Sequence, residues 1–351
     1  MGSGHLMRCL TLADELNKNS SVNIFFISRN HKGNINRIVK QRNFRIIELP
    51  TSKNKITEAK YDKNLYGIRW LGVSQEEDAN EFLNAINCIE PDLLIIDHYG
   101  IGEKWETLVR KHVKKIMVVD DLANRIHDCD FLLDQNYYDK LEDRYKSFVP
   151  KDCKLFLGPK YILLRDEFLE TNRILSRNKR KNRIFIFFGA IDQFNLTLNT
   201  LKSLHLNNSN NFIADIVIGK ENPNKQIIKD YVSNHSNLNL YVQIDNFSEI
   251  LENASICIGS GGTAIWESCF LGIPSFIITF AENQILSVEY LASKNIIEYY
   301  GHHDDIELVD LSNRIFEFLN NSERLKILSQ NCVRLVDGLG KNRIIKKIKY
   351  D

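Results

Sequence analysis

The segment ASICIGSGGTAIWESCFLGIPSFIITF (254–280) has two short apolar runs, separated by a glycine turn and a helix-like stretch. The runs ASICIGS (254–260) and PSFIITF (274–280) are continuous and apolar, as strands buried on both faces are. A helix is predicted over 263–271, between them. A strand, a helix and a second strand in this order predict two parallel strands joined by a crossover helix.

The same alternation runs through the chain in two series. The first series predicts strands at 22–28, 44–50, 91–99, 115–121 and 131–136, with helices near 7–18, 34–42, 75–89 and 103–112. The second predicts strands at 183–190, 214–219 and 238–244 before the opening segment, with helices near 194–207, 224–234, 247–253, 284–294 and 311–328. Two such series predict an α/β protein with two doubly wound, Rossmann-like domains that face a cleft.

The polar and basic stretch FLETNRILSRNKRKN (168–182) separates the two series. It has little to bury, so we interpret it as a solvated linker between an N-terminal domain (1–167) and a C-terminal domain (183–351). The chain opens on a glycine turn, GSGH (2–5), that leads into a helix. Such turns normally follow a strand, so we expect the first strand of the N-terminal sheet to be absent from this sequence.

The composition indicates an ordinary globular protein. The 351 residues are 43% hydrophobic and 26% charged, and 46 basic against 45 acidic residues leave a net charge of +1. This balance gives no reason to expect nucleic acid or an anionic membrane as a partner. Apolar runs are far shorter than a membrane span. The seven cysteines are scattered without a CxxC pair, which predicts a cytoplasmic protein with reduced core cysteines.

His5 is the first candidate for chemistry. Gly2 and Gly4 permit close backbone approach, and a helix starting near Leu6 would direct free N–H groups at an anion beyond the turn. An imidazole at that position is able to accept a proton near neutral pH. The alternative interpretation is an exposed turn histidine, because a lone GxG is a weak signal.

A second anion site is predicted at the glycine turn of the opening segment. Gly261 and Gly262 end a strand, Thr263 is placed to cap the following helix, and Glu267 lies one turn into it, where a carboxylate could bind a ribose diol. A purely structural turn is the alternative. Asn283 and Gln284 follow the next strand, either lining the same cleft or capping a helix.

Further polar groups stand at the ends of other predicted strands. Asp97, His98 and Tyr99 end an apolar strand of the first domain, where they either contact ligand or cap the sheet. In the second domain Gly189 and Asp192 hold the corresponding place, and we expect them to lie across from His5. Most polar residues of 120–136, including Asp120, Asp121, Arg125, Asp134 and Asn136, are predicted to be structural.

Several other site types are excluded by pattern. The sequence has no HExxH motif, and no metal or other cofactor is predicted. The full Walker pattern and GxSxG are also absent, which argues against a P-loop kinase and an α/β-hydrolase. Glycine turns and helix N-termini are able to stabilise a diphosphate without a metal.

Five segments together resemble a known family: GSGHLMRCLTLADEL, IIDHYGI, VVDDLANRIHDCDFLLDQN, LFLGPKYILLRDEF and GSGGTAIWESCFLGIPSFIITFAENQ. They are similar to the UDP-2,4-diacetamido-2,4,6-trideoxy-β-L-altropyranose hydrolases of pseudaminic acid biosynthesis, over nearly the whole chain up to about residue 295. The resemblance implies a two-domain GT-B fold like that of the lipid II-forming glycosyltransferase. The family has two adjacent glycines where this chain has Gly189 and Ala190.

The resemblance also implies a reaction and a site. Water attacks the anomeric carbon and UDP leaves, with inversion and without metal, and the family's catalytic histidine corresponds to His5. The glycine turn with Glu267 would hold UDP, and Arg165 of the YxLLR segment would contact substrate. The full set of predicted substrate- and UDP-binding residues is Gly4, Arg8, His98, Tyr99, Arg165, Gly189, Asp192, Gly261, Gly262, Thr263, Glu267, Asn283 and Gln284.

The sequence therefore predicts a hydrolase acting on a nucleotide-sugar as its small-molecule partner, with His5 deprotonating the attacking water. Two alternatives remain open. One is a GT-B glycosyltransferase that passes the sugar to an alcohol, and the basic and apolar stretch RIVKQRNFRIIELP (37–50) would then be a candidate for membrane docking. The other is an inactive, truncated nucleotide-sugar-binding protein.

Overall fold

The computed structural model describes residues 3–19, 21–31, 33–51, 67–171, 182–207 and 211–349. In the N-terminal half two parallel sheets form, one with the order β1-β2 and the other with the order β3-β4-β5-β6. The strands are β1 (Phe25–Arg29), β2 (Arg45–Leu49), β3 (Leu93–Ile96), β4 (Lys115–Val119), β5 (Phe131–Asp134) and β6 (Lys154–Leu157). The helices are α1 (Ser3–Asn19), α2 (Asn36–Gln41), α3 (Ile68–Leu71), α4 (Gln75–Ala85), α5 (Glu103–Val109) and α6 (Asp166–Leu169).

The C-terminal half contains a single six-stranded parallel sheet with the order β12-β11-β10-β7-β8-β9. Its strands are β7 (Arg183–Phe187), β8 (Ile213–Ile218), β9 (Leu238–Val242), β10 (Ile256–Gly259), β11 (Ser275–Thr279) and β12 (Glu298–His302). Its helices are α7 (Leu196–Leu206), α8 (Lys225–Ser233), α9 (Phe247–Leu251), α10 (Ala264–Phe270), α11 (Glu282–Ser293), α12 (Leu308–Asn320), α13 (Ser322–Leu335) and α14 (Gly340–Lys349). Strand order reverses beside β7, as in doubly wound domains.

The predicted α/β fold is confirmed, and the predicted strands form within a few residues of their expected bounds. Two strands, β6 and β12, were not predicted from the sequence. The helix predicted over 311–328 is two helices, because Asn321 separates α12 from α13 and its side chain accepts a hydrogen bond from the backbone N–H of Arg324. Within the described ranges, no helix combines the length and apolar content needed to cross a bilayer.

Helix α1 joins the two N-terminal sheets. Leu10 and Ala13 pack in a cluster with Phe44, beside the smaller sheet, whereas Leu12 packs in a cluster with Met117 under the larger one. The apolar residues of α1 thus pack against both sheets. The expected absence of a first strand stays a prediction, because residues 1 and 2 lie outside the described ranges.

The last helix returns to the N-terminal half. Ile344 and Ile345 of α14 are buried in the same cluster as Leu12 of α1. Buried Lys341 pairs with Glu15 of α1, at 3.1 Å, and with Asp166 at the start of α6. Helix α14 therefore packs against α1, the helix whose first turn contains His5, the predicted catalytic residue. Most of the predicted linker, 172–181, lies outside the described residues.

Candidate functional site

His5 lies in the first turn of α1, which begins at Ser3 rather than near Leu6 as predicted. Its Nδ1 is 2.5 Å from Oδ1 of Asp97, just beyond the carboxyl end of β3. Arg8, one turn further along α1, donates from Nε and Nη2 to the two Asp97 oxygens, each at 2.6 Å. The first turn of α1 is thereby fixed to the end of β3 by one carboxylate.

This carboxylate is ionised. Burial raises the pKa of the Asp97 carboxyl, but the Arg8 guanidinium and the hydrogen bonds from Arg8 and His5 outweigh burial and hold that pKa well below its usual range. An ionised carboxylate only accepts hydrogen bonds, so the proton in the contact must be on His5 Nδ1. The other ring nitrogen, Nε2, is then the one that has a lone pair to accept a proton.

Tyr99 contacts His5 edge-on, with ring centroids 4.8 Å apart and planes at 85°. Its hydroxyl donates to Asp121 at 2.6 Å, and burial keeps the pKa of Tyr99 far above its usual value. Arg8 also reaches Asp121, at 3.3 Å. Tyr99 and Asp97 therefore hold the imidazole from two sides.

His98 points elsewhere. Its Nδ1 accepts a hydrogen bond from the backbone N–H of Gly100 at 2.9 Å. Burial and the nearby His5 lower the pKa of His98 to about 3, so it is neutral at physiological pH. It shapes the turn after β3, beside the His5–Asp97 pair.

The first turn of α1, which contains Gly4 and His5 instead of the predicted glycine turn, meets the glycine turn at 261–263. A Cβ placed on Gly4 would lie 3.7 Å from Thr263 Oγ1. Within the described residues, the Thr263 side chain makes none of the capping hydrogen bonds predicted for it. Gly261 is required by packing, because a Cβ there would come within 2.9 Å of Gln284 Cβ, whereas Gly262 is more open and would meet only Ser260 Oγ at 3.9 Å. The N-terminal turn with His5 and the predicted UDP turn thus face each other.

Arg165 and Glu267 contact each other directly. Arg165 Nε donates to Glu267 Oε1 at 2.8 Å, and a second guanidinium nitrogen pairs with Glu167. The guanidinium lies 5.0 Å from the ring centroids of both Phe168 and Phe247. Burial raises the pKa of Glu267 and Arg165 opposes it. Arg165 therefore orients Glu267, the residue predicted to bind ribose.

The other predicted residues shape loops at the carboxyl edge of the second sheet. Asp192 accepts the backbone N–H groups of Leu196 and Thr197, both at 2.9 Å, and so caps α7. Gly189 has a φ of +91° and open space at its Cβ position. Within the described residues, positive φ belongs to Gly189 and not to Ala190, so alanine is tolerated there.

Asn283 and Gln284 lie in the first turn of α11. The side-chain oxygen of Gln284 accepts the backbone N–H of Phe280 at 3.1 Å, which is the capping role weighed for it in the sequence. The same side chain packs on Gly261. Gln284 thus supports the glycine turn from behind.

The structure adds a buried polar network that sequence reasoning did not assemble. The Tyr145 hydroxyl bridges Asp120 and Asp134, at 3.1 and 3.0 Å, and Arg125 pairs with Asp120 at 2.7 Å. Asp120 follows β4, next to Asp121, and Asp134 ends β5. The pair of acidic residues at 120 and 121 is visible in the sequence, but its partners come from distant segments.

Asp134 makes stability depend on pH. Burial and the neighbouring Asp121 raise the pKa of Asp134 to about 8, above the value near 3.9 of an unfolded aspartate. The folded state then holds a proton that the unfolded state loses, so this group makes unfolding easier as pH rises from about 4 to about 8. We expect Asp134→Asn to flatten that decline, by up to ~1.4 kcal/mol per pH unit. Urea unfolding between pH 5 and 8.5 measures it.

Asp120→Asn is the matched control, because it also loses a buried carboxyl bonded to Tyr145. Burial raises the pKa of Asp120, but Arg125 and His127 outweigh it and lower that pKa overall. Its contribution to stability is therefore present at neutral pH and is lost in acid. An Asp134→Asn variant with the same pH slope as the wild type would contradict the assignment.

One group of potential metal ligands occurs among the described residues. His302, His303 and Asp304 place ligand atoms within 4.8 Å of one another at the end of β12. Asp304 is 73% exposed, and the group lies at the edge strand of the second sheet. It is separate from the residues around His5.

Comparisons with known proteins agree with this architecture. Residues 184–342 match the family described as "Glycosyltransferase family 28 C-terminal domain". The crystal structure of MurG from Acinetobacter baumannii superposes with a TM-score of 0.63 at 13% identity, covering 100% of this chain and 97% of that one. The fold is therefore GT-B.

Two sequence relatives extend the match. An uncharacterised protein of Methanocaldococcus jannaschii is 29% identical over 81% of this chain, which spans 54% of that protein's length. The UDP-2,4-diacetamido-2,4,6-trideoxy-β-L-altropyranose hydrolase of Campylobacter jejuni is 30% identical over 225 residues, 64% of this chain and 79% of that enzyme. With this identity over most of the enzyme's length, the chain belongs to the UDP-2,4-diacetamido-2,4,6-trideoxy-β-L-altropyranose hydrolase family.

Proposed function

We propose that the protein hydrolyses a UDP-linked 2,4-diacetamido-2,4,6-trideoxy sugar at the anomeric carbon, releasing UDP and the free sugar with inversion, as a step toward pseudaminic acid. The observation that carries the proposal is the His5–Asp97 pair, 2.5 Å apart, in a turn that meets the Thr263 turn. A base with a fixed proton on one nitrogen stands opposite the predicted UDP turn.

The bonds and protons balance as a simple hydrolysis. The Nε2 lone pair of His5 accepts a proton from water while the water oxygen bonds to the anomeric carbon. The bond from that carbon to the β-phosphate oxygen breaks, and its electron pair leaves with UDP. Water enters on the face opposite the leaving group, which inverts the anomeric configuration. Asp97 stabilises the imidazolium that forms, without itself taking the proton.

The second domain would bind UDP. The backbone at Gly261, Gly262 and Thr263 would hold the diphosphate through N–H donors, so the proposal requires no metal. Glu267, oriented by Arg165, would accept hydrogen bonds from the ribose hydroxyls. Gly189 and Asn283 would border the nucleotide, whereas Asp192 and Gln284 shape the loops around it.

Sugar transfer to an alcohol is the second candidate, favoured by the match of residues 184–342 to a glycosyltransferase domain family. The segment 37–50 is the candidate membrane-docking patch of such a transferase, and its burial weakens this alternative. Its apolar residues Val39, Phe44 and Leu49 are buried at 0%, 9% and 6% exposure. These three side chains pack in the core beside α2 and β2 and are therefore not available to a lipid acceptor.

The decisive test uses UDP-2,4-diacetamido-2,4,6-trideoxy-β-L-altropyranose in ¹⁸O-enriched water, without glycerol or other alcohols. We expect UDP to be released without ¹⁸O, and the label to appear in the free sugar. The anomer that forms first, observed by NMR, should have the inverted configuration. EDTA should not change the rate. Release only after an alcohol acceptor is added would contradict hydrolysis and favour transfer. A third outcome would favour a binding protein: UDP raises the melting temperature of the protein, but no member of a panel of UDP-linked diamino sugars is turned over.

A further inference from the structure

Trp70, at the end of α3, is the exposed tryptophan of this chain. Its side chain is 38% exposed, whereas Trp105 and Trp266 are 2% and 3% exposed. A partly exposed aromatic ring is a common way to bind the apolar parts of a ligand.

Trp70 stands two rings from the base. Its ring centroid is 5.9 Å from that of Tyr99, at 45°, and Tyr99 contacts His5 at 4.8 Å. We expect a sugar whose anomeric carbon is attacked beside His5 to extend toward this row of three rings. Trp70 lies in the N-terminal half of the chain with His5, whereas the predicted UDP turn lies in the C-terminal half.

Two glycines hold α3 in this place. Gly67 has a φ of +87°, and a Cβ there would lie 2.6 Å from Tyr99 Cβ and 3.0 Å from Trp70 Cε3. A Cβ on Gly100 would lie 2.8 Å from the Gly67 carbonyl oxygen. Any other residue at 67 would be strained and would push the turn away from Tyr99. The local backbone thus holds Trp70 in contact with Tyr99, the residue whose ring contacts His5.

We propose that Trp70 packs against the methyl groups of the sugar and so selects deoxy, acetamido-substituted sugars over hydroxyl-rich ones. The inference rests on the proposed function and names the specificity determinant of that same site. A 6-deoxy carbon and two acetyl methyls are apolar and gain from burial on an indole face, whereas hydroxyl groups at those positions would be desolvated without a partner.

Kinetics of Trp70→Ala, with Trp70→Phe as the matched control, test the proposal. We expect Trp70→Ala to raise KM for the diacetamido-trideoxy substrate about tenfold, with a smaller change in kcat. Inhibition by UDP should stay within about twofold, because the proposed UDP turn belongs to the C-terminal half of the chain. Trp70→Phe should recover most of the affinity. An unchanged KM, or a fall in kcat alone through displaced Tyr99, would overturn the proposal.

Fluorescence supplies a readout that does not depend on turnover. Acrylamide should quench mainly Trp70, since Trp105 and Trp266 are buried. We expect the diacetamido-trideoxy UDP-sugar to protect against quenching, and UDP alone or UDP-N-acetylglucosamine to protect less. Turnover without such protection would overturn the role of Trp70 while leaving hydrolysis intact. Protection without turnover would support the contact and contradict hydrolysis.

Discussion

His5→Ala is expected to lower turnover of the UDP-sugar by about 10²–10⁴-fold, the usual contribution of a positioned general base. UDP is a competent leaving group, so the reaction depends mainly on activating water. The variant removes the nitrogen that would accept the water proton but leaves the UDP turn in the other domain. Steady-state rates of UDP release at saturating substrate measure the effect.

His302→Asn is the matched control, because His302 is also an imidazole beside an aspartate, 3.2 Å from Asp304 and 27% exposed. It lies at the end of β12 in the second domain, and we expect its turnover to match the wild type. UDP should bind His5→Ala with wild-type affinity, which shows that the site is folded. Wild-type turnover by His5→Ala would remove His5 from the mechanism.

Asp97→Asn is expected to lower kcat on the order of 10²–10⁴-fold, although no atom of Asp97 is proposed to touch substrate. An amide at this position is able to donate to His5 Nδ1, which would place the ring proton on Nε2, the nitrogen that must accept one. The change also leaves buried Arg8 with the more distant Asp121 carboxylate, at 3.3 Å, so we expect a loss of stability below the ~3–5 kcal/mol of a buried charge that loses its whole partner.

A second variant separates the effect on catalysis from the effect on stability. Asp78→Asn breaks another buried pair of the same domain, in which Asp78 contacts Arg29 and accepts Trp105 Nε1 at 3.0 Å. We expect Asp78→Asn to have a lower free energy of unfolding in urea. Its kcat should equal that of the wild type at temperatures below the melting temperature of the variant. If Asp97→Asn lost stability and kept both kcat and the pH profile of kcat/KM, Asp97 would have a structural role alone.

The sequence predicted the elements well where the pattern is local and strong. The buried strands β4, β7 and β11 are continuous apolar runs with polar or glycine ends, and such runs suit a parallel sheet covered on both faces. It missed β12, EYYGH (298–302), because polar residues and a glycine interrupt the run at an edge strand. It missed β6, KLFL (154–157), because four residues carry too little periodicity.

The candidate site was only partly predictable. The glycine turns and His5 stand out because glycine, a helix start and a strand end coincide within a few residues. Asp121, Trp70 and the network around Asp134 have no such local signal. Their roles depend on which segments come together in the folded chain. Asp192, which the pattern favours as a ligand contact, also caps α7.

By itself, the sequence determined the α/β class, the order of strands and helices, and the position of polar residues at strand ends, because hydrophobic periodicity and turn chemistry are local properties. Only the tertiary structure decided which of these groups meet. Asp97 lies 92 residues from His5, and Glu267 lies 102 residues from Arg165, yet each pair is in direct contact. Strand order and the approach of the two domains create those contacts, and both depend on packing between distant segments.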